Sequence, residues 1–575
     1  MENKLKTYLL LIGIFLISVL VRLPHLDRPL SKHHEFCTAI VLIPLQNWAE
    51  NGASIYHYSP SITFEGTANH HIENLTAYPV EADGRYYYLS HPPFAYVLPY
   101  FCFQIFGIYP TPLALQVFNL LFHLLSCLLI YKIVRIITKE TSQKVHFGAL
   151  ASFLVYLFAP ATLWFHGNAY MSDMFISNIL ILGIWVTLKA FLRKEKTAMS
   201  DTSKVSNILQ VSSIGIVVFL MIYTEWLGNF FAFSVFVLAL IKAFSRKEKT
   251  AMSDTSKVSD ISLSRRGYWL AIAGACVLGV VAGLGLTFWQ YSSIAGFETY
   301  RAYFLHRFGA RSGAQFSDNG VFYFLWKYGK MMLRIAKHYA TGFLPVLVFG
   351  AALWGVFIYG TKKIFQPTNT ATRYFWWLAG FPILMHHLVF VEFTVVHDFA
   401  ALKGGILLAV GIGLLVDKLT RHHKSPLAVS TPQPPPKGEI FRAAKNLSRM
   451  YLPLWRGLGG GLLVAILLCI AQYYYINRPG KISQNGDSYD YMQILGENIR
   501  ENAATDEVIF LNGYKPDPQV MYYARRNMLR AADASEVKAI LEKRGAERGV
   551  LFTIKNYKIK NIEKVKTNNE SRINE

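Results

Sequence analysis

Directly after the first apolar run of the chain, the segment RLPHLDRPLSKHHEF gathers Asp27, His33, His34 and Glu35 at what reads as a membrane–water boundary. A carboxylate in that place can take a proton from a hydroxyl, and Glu35 is the best placed, with the histidines and Asp27 as neighbours. A solvated cluster on a surface loop is the competing reading. Further on, in Tyr86-Tyr-Tyr-Leu-Ser-His-Pro-Pro-Phe, a rigid Pro-Pro turn fixes His91 beside aromatics that favour the headgroup layer. His91 can touch a lipid phosphate there, or it can be incidental to an aromatic belt.

Asp173, in NAYMSDMF, stands at the end of another apolar run, where a carboxylate either faces water or a cavity or caps the following helix. Glu225 in YTEWLG and the turn holding Glu392, His397 and Asp398 pose the same choice, and their gathering at one membrane face favours a site. The loop ETYRAYFLHRFGARSG adds Arg301, His306, Arg307 and Arg311. Arginine binds phosphate oxygens bidentately, so a phosphate or diphosphate headgroup would satisfy these cations; ordinary anionic lipid heads are the alternative.

The elements that must position these residues are membrane helices. The 575 residues have a mean hydropathy of +0.27, with 53% hydrophobic and only 16% charged residues, too apolar for an ordinary soluble protein of this size. Apolar segments of roughly the 20 residues that a crossing needs occur near 7–23, 112–136, 145–165, 172–192, 208–224, 229–244, 268–288, 338–360, 373–391, 399–417 and 453–475, about eleven in all. With the N-terminus inside, this count puts the Lys/Arg-rich loops Lys132 to Lys144, Arg193 to Lys204, Arg246 to Arg266, Lys362 to Arg373 and Lys418 to Arg456 in the cytoplasm, and leaves the loop of Arg301, Arg307 and Arg311 outside, against the trend. The stretch from His91 to Gly107 is apolar enough to be a twelfth span, but counting it would invert everything downstream. It is expected to be interfacial or re-entrant.

The formal charge of +22 lies mostly in short runs between apolar segments, so orientation in a bilayer accounts for it and nucleic acid is not expected as a partner. The five cysteines are scattered and form no disulfide framework or metal motif. RKEKTAMSDTSKVS occurs at 193–206 and again at 246–259, a recent duplication in two cytoplasmic loops, and TPQPPPKGE at 431–439 reads as an extended linker. After Ser488 the pieces EVIFLNG, DPQVMYYARR, ASEVKAILEKRG and GVLFTIK alternate strand-like and helix-like character. The expected architecture is a mainly α polytopic helical bundle over 1–476, with a first external loop over 23–110, and a small extracytoplasmic α/β domain over 477–575.

The order of these features resembles the GT-C membrane glycosyltransferases, especially the bacterial group similar to protein O-mannosyltransferases and the lipid A aminoarabinose transferase. The matching elements are His34-Glu35 after the first span, His91-Pro92-Pro93 before an apolar helix ending in Phe106-Gly107, Met171 to Met174, the basic loop, and His397-Asp398-Phe399. The resemblance implies a polyprenyl-phosphate-linked sugar as donor, a lipid, glycan or protein acceptor, and an inverting displacement at the anomeric carbon in the cell membrane. It also implies a carboxylate base in the first external loop. Relatives carry Asp-Glu where this chain has His34-Glu35, so that role falls to Glu35. Asp173 matches its motif better, with acceptor positioning, shared catalysis or metal contact as its implied role. His91, Arg301, Arg307 and Arg311 would hold the donor phosphate. No nucleotide cofactor is expected, since no Gly-rich phosphate loop is present; the metal is left open.

Two other functions compete. A polyprenyl-dependent polymerase or ligase of surface polysaccharide would use the same donors. A transporter would place its polar groups near the bilayer midplane in two matching halves, whereas here they gather at the ends of spans.

Overall fold

The computed structural model describes residues 2–31, 34–72, 79–139, 146–196, 204–245, 255–313, 322–323, 325–330, 369–422, 462–475, 477 and 488–567. It opens with α1 (Glu2–Arg22) and then a long loop carrying α2 (Glu35–Asn51) and α3 (Phe94–Phe106). The helices α4 (Pro112–Ile137), α5 (Phe147–Phe158), α6 (Pro160–Asn168), α7 (Ser172–Lys196), α8 (Lys204–Ile222), α9 (Leu227–Phe244), α10 (Thr255–Ala295) and α11 (Phe297–Ser312) follow. Further helical segments among the described residues up to 422 include Thr370–Phe375, Phe381–Val389, Val391–Val396 and Leu402–His422.

Among the described residues five helices are long and apolar enough to cross a membrane, or six if α5 and α6, bent by 56° at Ala159-Pro160, form one span. The expected span at 338–360 lies outside the described residues, and that at 453–475 is described only as Leu462–Tyr475. The helix within His91–Gly107 is 13 residues, about 20 Å, short of the roughly 30 Å hydrocarbon core. Its length matches an interfacial or re-entrant segment.

Two local features aim the loop residues. The turn between β1 (Val80–Ala82) and β2 (Arg85–Tyr87) is Asp83-Gly84, both at positive φ, the turn chemistry that closes a tight antiparallel hairpin. The hairpin delivers the chain to Ser90-His91, where the Tyr291 hydroxyl donates to the His91 carbonyl (2.6 Å) and the Phe94 amide to the Tyr223 carbonyl (3.1 Å). Helix α2 starts from His34 in the left-handed region (φ 68°) and buries most of its length.

The tail forms a four-stranded sheet in the order β4 (Met528–Arg530), β3 (Val508–Asn512), β5 (Arg548–Lys555), β6 (Lys558–Lys566). β3 is parallel to both neighbours, and β6 is antiparallel to β5. Val508 to Leu511 are all buried, the near-continuous apolar run of a central parallel strand. The sheet grips the first loop: Ala68 and Ile72 join the core of Phe510, Val537 and Leu541, the Leu30 amide donates to the Tyr523 hydroxyl (2.7 Å), and Gln519 donates to the Ser31 carbonyl (2.5 Å). The expected domain boundary falls beside 476 and 478–487, outside the described residues.

Candidate active site

Asp173 is the second residue of α7 and fully buried. It lies inside the first turn instead of before it, and Lys403, also fully buried, donates to its Oδ1 at 2.9 Å. Lys403 Nζ is also 3.8 Å from Glu225 Oε2 and 3.2 Å from His386 Nε2. Glu225 sits in the α8–α9 turn, accepts from the Leu227 amide at 3.0 Å and lies 3.1 Å from His386 Nε2. Burying a carboxylate is costly without a partner, and the Lys403 ammonium serves both acids at once. Asp173 Oδ2 is left without a hydrogen-bond partner.

A second cluster adjoins it. On α11, Tyr303, Arg307 and Arg311 recur every four residues and share one helical face. Arg307 Nε donates to Ser90 Oγ (3.0 Å), Arg311 Nη2 to the same oxygen (2.9 Å), and Arg311 Nη2 lies 2.7 Å from His91 Nε2. An arginine can only donate, so His91 Nε2 is the acceptor and the ring proton sits on Nδ1, which is buried without a partner. Burial and then the Arg311 charge hold the His91 pKa well below its ordinary value, so the ring is neutral. The 3.9 Å approach of His91 Nε2 to Asp173 Oδ2 is therefore no ion pair. Arg311 packs between Trp226 and Phe393, and its Nε and Nη1 are buried without hydrogen-bond partners. Ser90, His91 and Arg307, with Asn229 and Thr287, are polar residues of a pocket whose other walls include Ile222, Leu284, Phe288 and Phe304.

The remaining expectations fall elsewhere. Glu35 is buried and paired with Arg28, and its Oε2 accepts from the Ser31 amide at 2.7 Å and the Ser31 hydroxyl at 3.3 Å. Burial raises its pKa, against the opposing pull of Arg28 and Ser31. It is thus neither a solvated surface acid nor one of the Asp173 group, and both its oxygens are engaged. His34 packs its ring on Phe399 and stands 6.3 Å from that of His397, which stacks on Phe399. Phe393 contacts His397 and Phe399 and also Arg311, linking this aromatic patch to the charged centre. Arg301 is exposed on another face of α11, paired with Glu298 at 3.1 Å, and is not brought to the site. Glu392 pairs with Lys327 at 2.8 Å. Asp398 opens a short 3-10 turn, and its side chain lies outside the described residues, as does His33.

Three participants escaped the sequence reading: Lys403, His386 and Ser90. A lone lysine within the apolar run 399–417 is itself a signal, because an ionisable group in a span needs a partner. His386 sat in the run 373–391 with the same signal; Ser90 carried none. Asp173, Glu225 and His386 converge on the Lys403 ammonium, and among the described residues no group of three or more acidic, histidine or cysteine side chains is arranged to hold a metal. A divalent ion about 4 Å from that ammonium would be repelled by roughly 8 kcal/mol at an effective dielectric of 20. The residues present do not fit a metal at this point.

The fold of the chain is similar to that of two solved membrane proteins, ArnT and an archaeal oligosaccharyltransferase. ArnT from Cupriavidus metallidurans bound to undecaprenyl phosphate superposes with a TM-score of 0.52 at 14% identity, covering 94% of this chain and 92% of that one. The same protein in the apo state gives 0.53 at 13% identity, with 95% and 93% covered. The Archaeoglobus fulgidus oligosaccharyltransferase tethered with an acceptor peptide gives 0.50 at 11% identity, covering 94% of this chain and 69% of that one. No protein-family model and no curated protein matches the sequence.

Proposed function

We propose that the protein moves a sugar from a polyprenyl-phosphate donor to an acceptor on the non-cytoplasmic face of the cell membrane, by inverting displacement. The observation that carries this reading is Arg311: a buried guanidinium with two unpartnered donors, held against Ser90 and His91, which line a largely apolar pocket with Arg307, and close to the unpartnered Nδ1–H of His91. Buried donors left unpaired cost free energy that an anionic oxygen would recover. A phosphate there would receive Arg311, Arg307 and His91, while the prenyl chain runs along Ile222, Leu284 and Phe288. Undecaprenyl phosphate bound to the similarly folded ArnT supports that choice of ligand.

In the reaction the acceptor oxygen attacks the anomeric carbon, the bond from that carbon to the phosphate oxygen breaks, and lipid phosphate departs with both bonding electrons. Arg311, Arg307 and the neutral His91 stabilise the charge that develops on the departing oxygen. The acceptor proton goes to a carboxylate. Asp173 Oδ2 is the better base, because it is unpartnered and adjoins the phosphate donors, whereas Glu35 spends both oxygens on Arg28 and Ser31. Glu35 then holds the first loop in register against the tail, and His34, beside His397 and Phe399, lies on the acceptor side of Phe393.

The test is incubation of the purified protein in nanodiscs with a panel of undecaprenyl-phosphate sugars and candidate acceptors. Release of undecaprenyl phosphate with a product one sugar longer is the expected result. A lengthening polymer would indicate a polymerase, and movement of unmodified lipid across the bilayer a transporter.

A further inference from the structure

Lys403 takes no part in the reaction as derived so far, yet it is the most enclosed cation of the site, with no exposed surface. Its ammonium sits 2.9 Å from an oxygen of Asp173, 3.2 Å from the ring nitrogen of His386 and 3.8 Å from an oxygen of Glu225. Two carboxylates and an imidazole are drawn around this one ammonium from α7, the α8–α9 turn and the Phe381–Val389 helix; they are ligand types a borderline divalent ion takes, but as placed here they are spaced around the ammonium and are not arranged as a metal site. Here the point is already filled by a covalently tethered charge, carried in on the Leu402–His422 helix one residue from its start.

We propose that Lys403 is the resident cation of this site: its ammonium takes the place a divalent metal would need between Asp173, Glu225 and His386, and holds both carboxylates without one. It is a positioning residue. By binding Asp173 through Oδ1 it turns Oδ2 toward the His91 side of the site, and by attracting Glu225 it fixes the turn that starts α9 and carries Trp226, on which Arg311 stacks. Unlike a metal, a tethered ammonium is neither lost to a chelator nor exchanged. The inference rests on the proposed function only for its activity arm, since its main readout is ion uptake.

The full-length protein, purified in detergent and stripped with chelator, is dialysed to equilibrium against Mn²⁺ and, separately, Zn²⁺, and bound metal is counted. Wild type and Asp173→Asn are expected to take up equal amounts, and chelator is expected to leave any transferase activity of wild type unchanged. Lys403→Ala vacates the point and is expected to take up about one additional ion per chain, lost again in the Lys403→Ala/Asp173→Asn double variant. Lys403→Arg, which keeps the charge, is expected to gain none. An ion bound by wild type and lost in Asp173→Asn overturns the proposal. So does a folded Lys403→Ala that gains none. If Lys403→Ala fails to fold, the comparison of wild type with Asp173→Asn decides alone: equal uptake supports the proposal.

Discussion

Truncating Arg311 isolates the interaction on which the proposed donor site depends. Its Nη2 is already engaged with Ser90 and His91, so the headgroup would be bound through Nε and Nη1, the two donors without partners. Each charge-assisted hydrogen bond is worth about 1.5–3 kcal/mol, so losing both in Arg311→Ala should cost about 3–6 kcal/mol, or roughly 10²–10⁴-fold in Kd. Arg311→Lys keeps the charge and loses the planar fork, and should fall between. The assay is titration of undecaprenyl phosphate into detergent-purified protein, with undecaprenol, which lacks the anion, as the reference ligand. Arg301→Ala is the internal control: its exposed pair with Glu298 is worth at most about 1 kcal/mol and lies off the site, so phosphate affinity should stay within about twofold. A folded Arg311→Ala protein whose Kd for undecaprenyl phosphate stays within about threefold of wild type would refute the reasoning.

Asp173→Asn should lower turnover by about 10²–10⁴-fold while donor affinity stays within a few-fold, the signature of a lost base; donor binding that collapses with it would make Asp173 a structural partner of Lys403 alone. Glu35→Gln should act on stability instead, because it strands the buried Arg28 at a cost of about 3–5 kcal/mol, visible as a lower melting temperature. A Glu35→Gln protein with wild-type melting and turnover reduced more than about a hundredfold would return the base to Glu35. Donor affinity measured with a phosphodiester analogue should be flat between about pH 8 and pH 6, since His91 is held neutral and charges only well below its ordinary pKa; a step near pH 6.5 would show an ordinary imidazole. A cysteine introduced at position 139 should stay unlabelled by an impermeant reagent added from outside, and labelling there would reverse the assumed sidedness.

The sequence by itself determined the class of the molecule, because a run of some 20 apolar residues has few stable environments other than a bilayer. It also determined the tail, where EVIFLNG and GVLFTIK, short apolar runs rich in β-branched and aromatic residues, became strands, and DPQVMYYARR and ASEVKAILEKRG became helices. The period of α11 was equally legible: a four-residue step joins Arg307 and Arg311, and Arg301 is off it, though the three had been grouped by composition. Only the tertiary structure decided which charges meet. Lys403 reaches Asp173 across 230 positions of sequence and Arg311 reaches His91 across 220, distances over which no local pattern carries information. Glu35 shows the same limit: its place after the first span suggested a free acid, but Arg28 and Ser31, only a few residues away, close on it because Gln519 and Tyr523 of the tail clamp that loop from outside. A residue's type states what it can do; burial and long-range pairing decide which of its lone pairs remain available to do it.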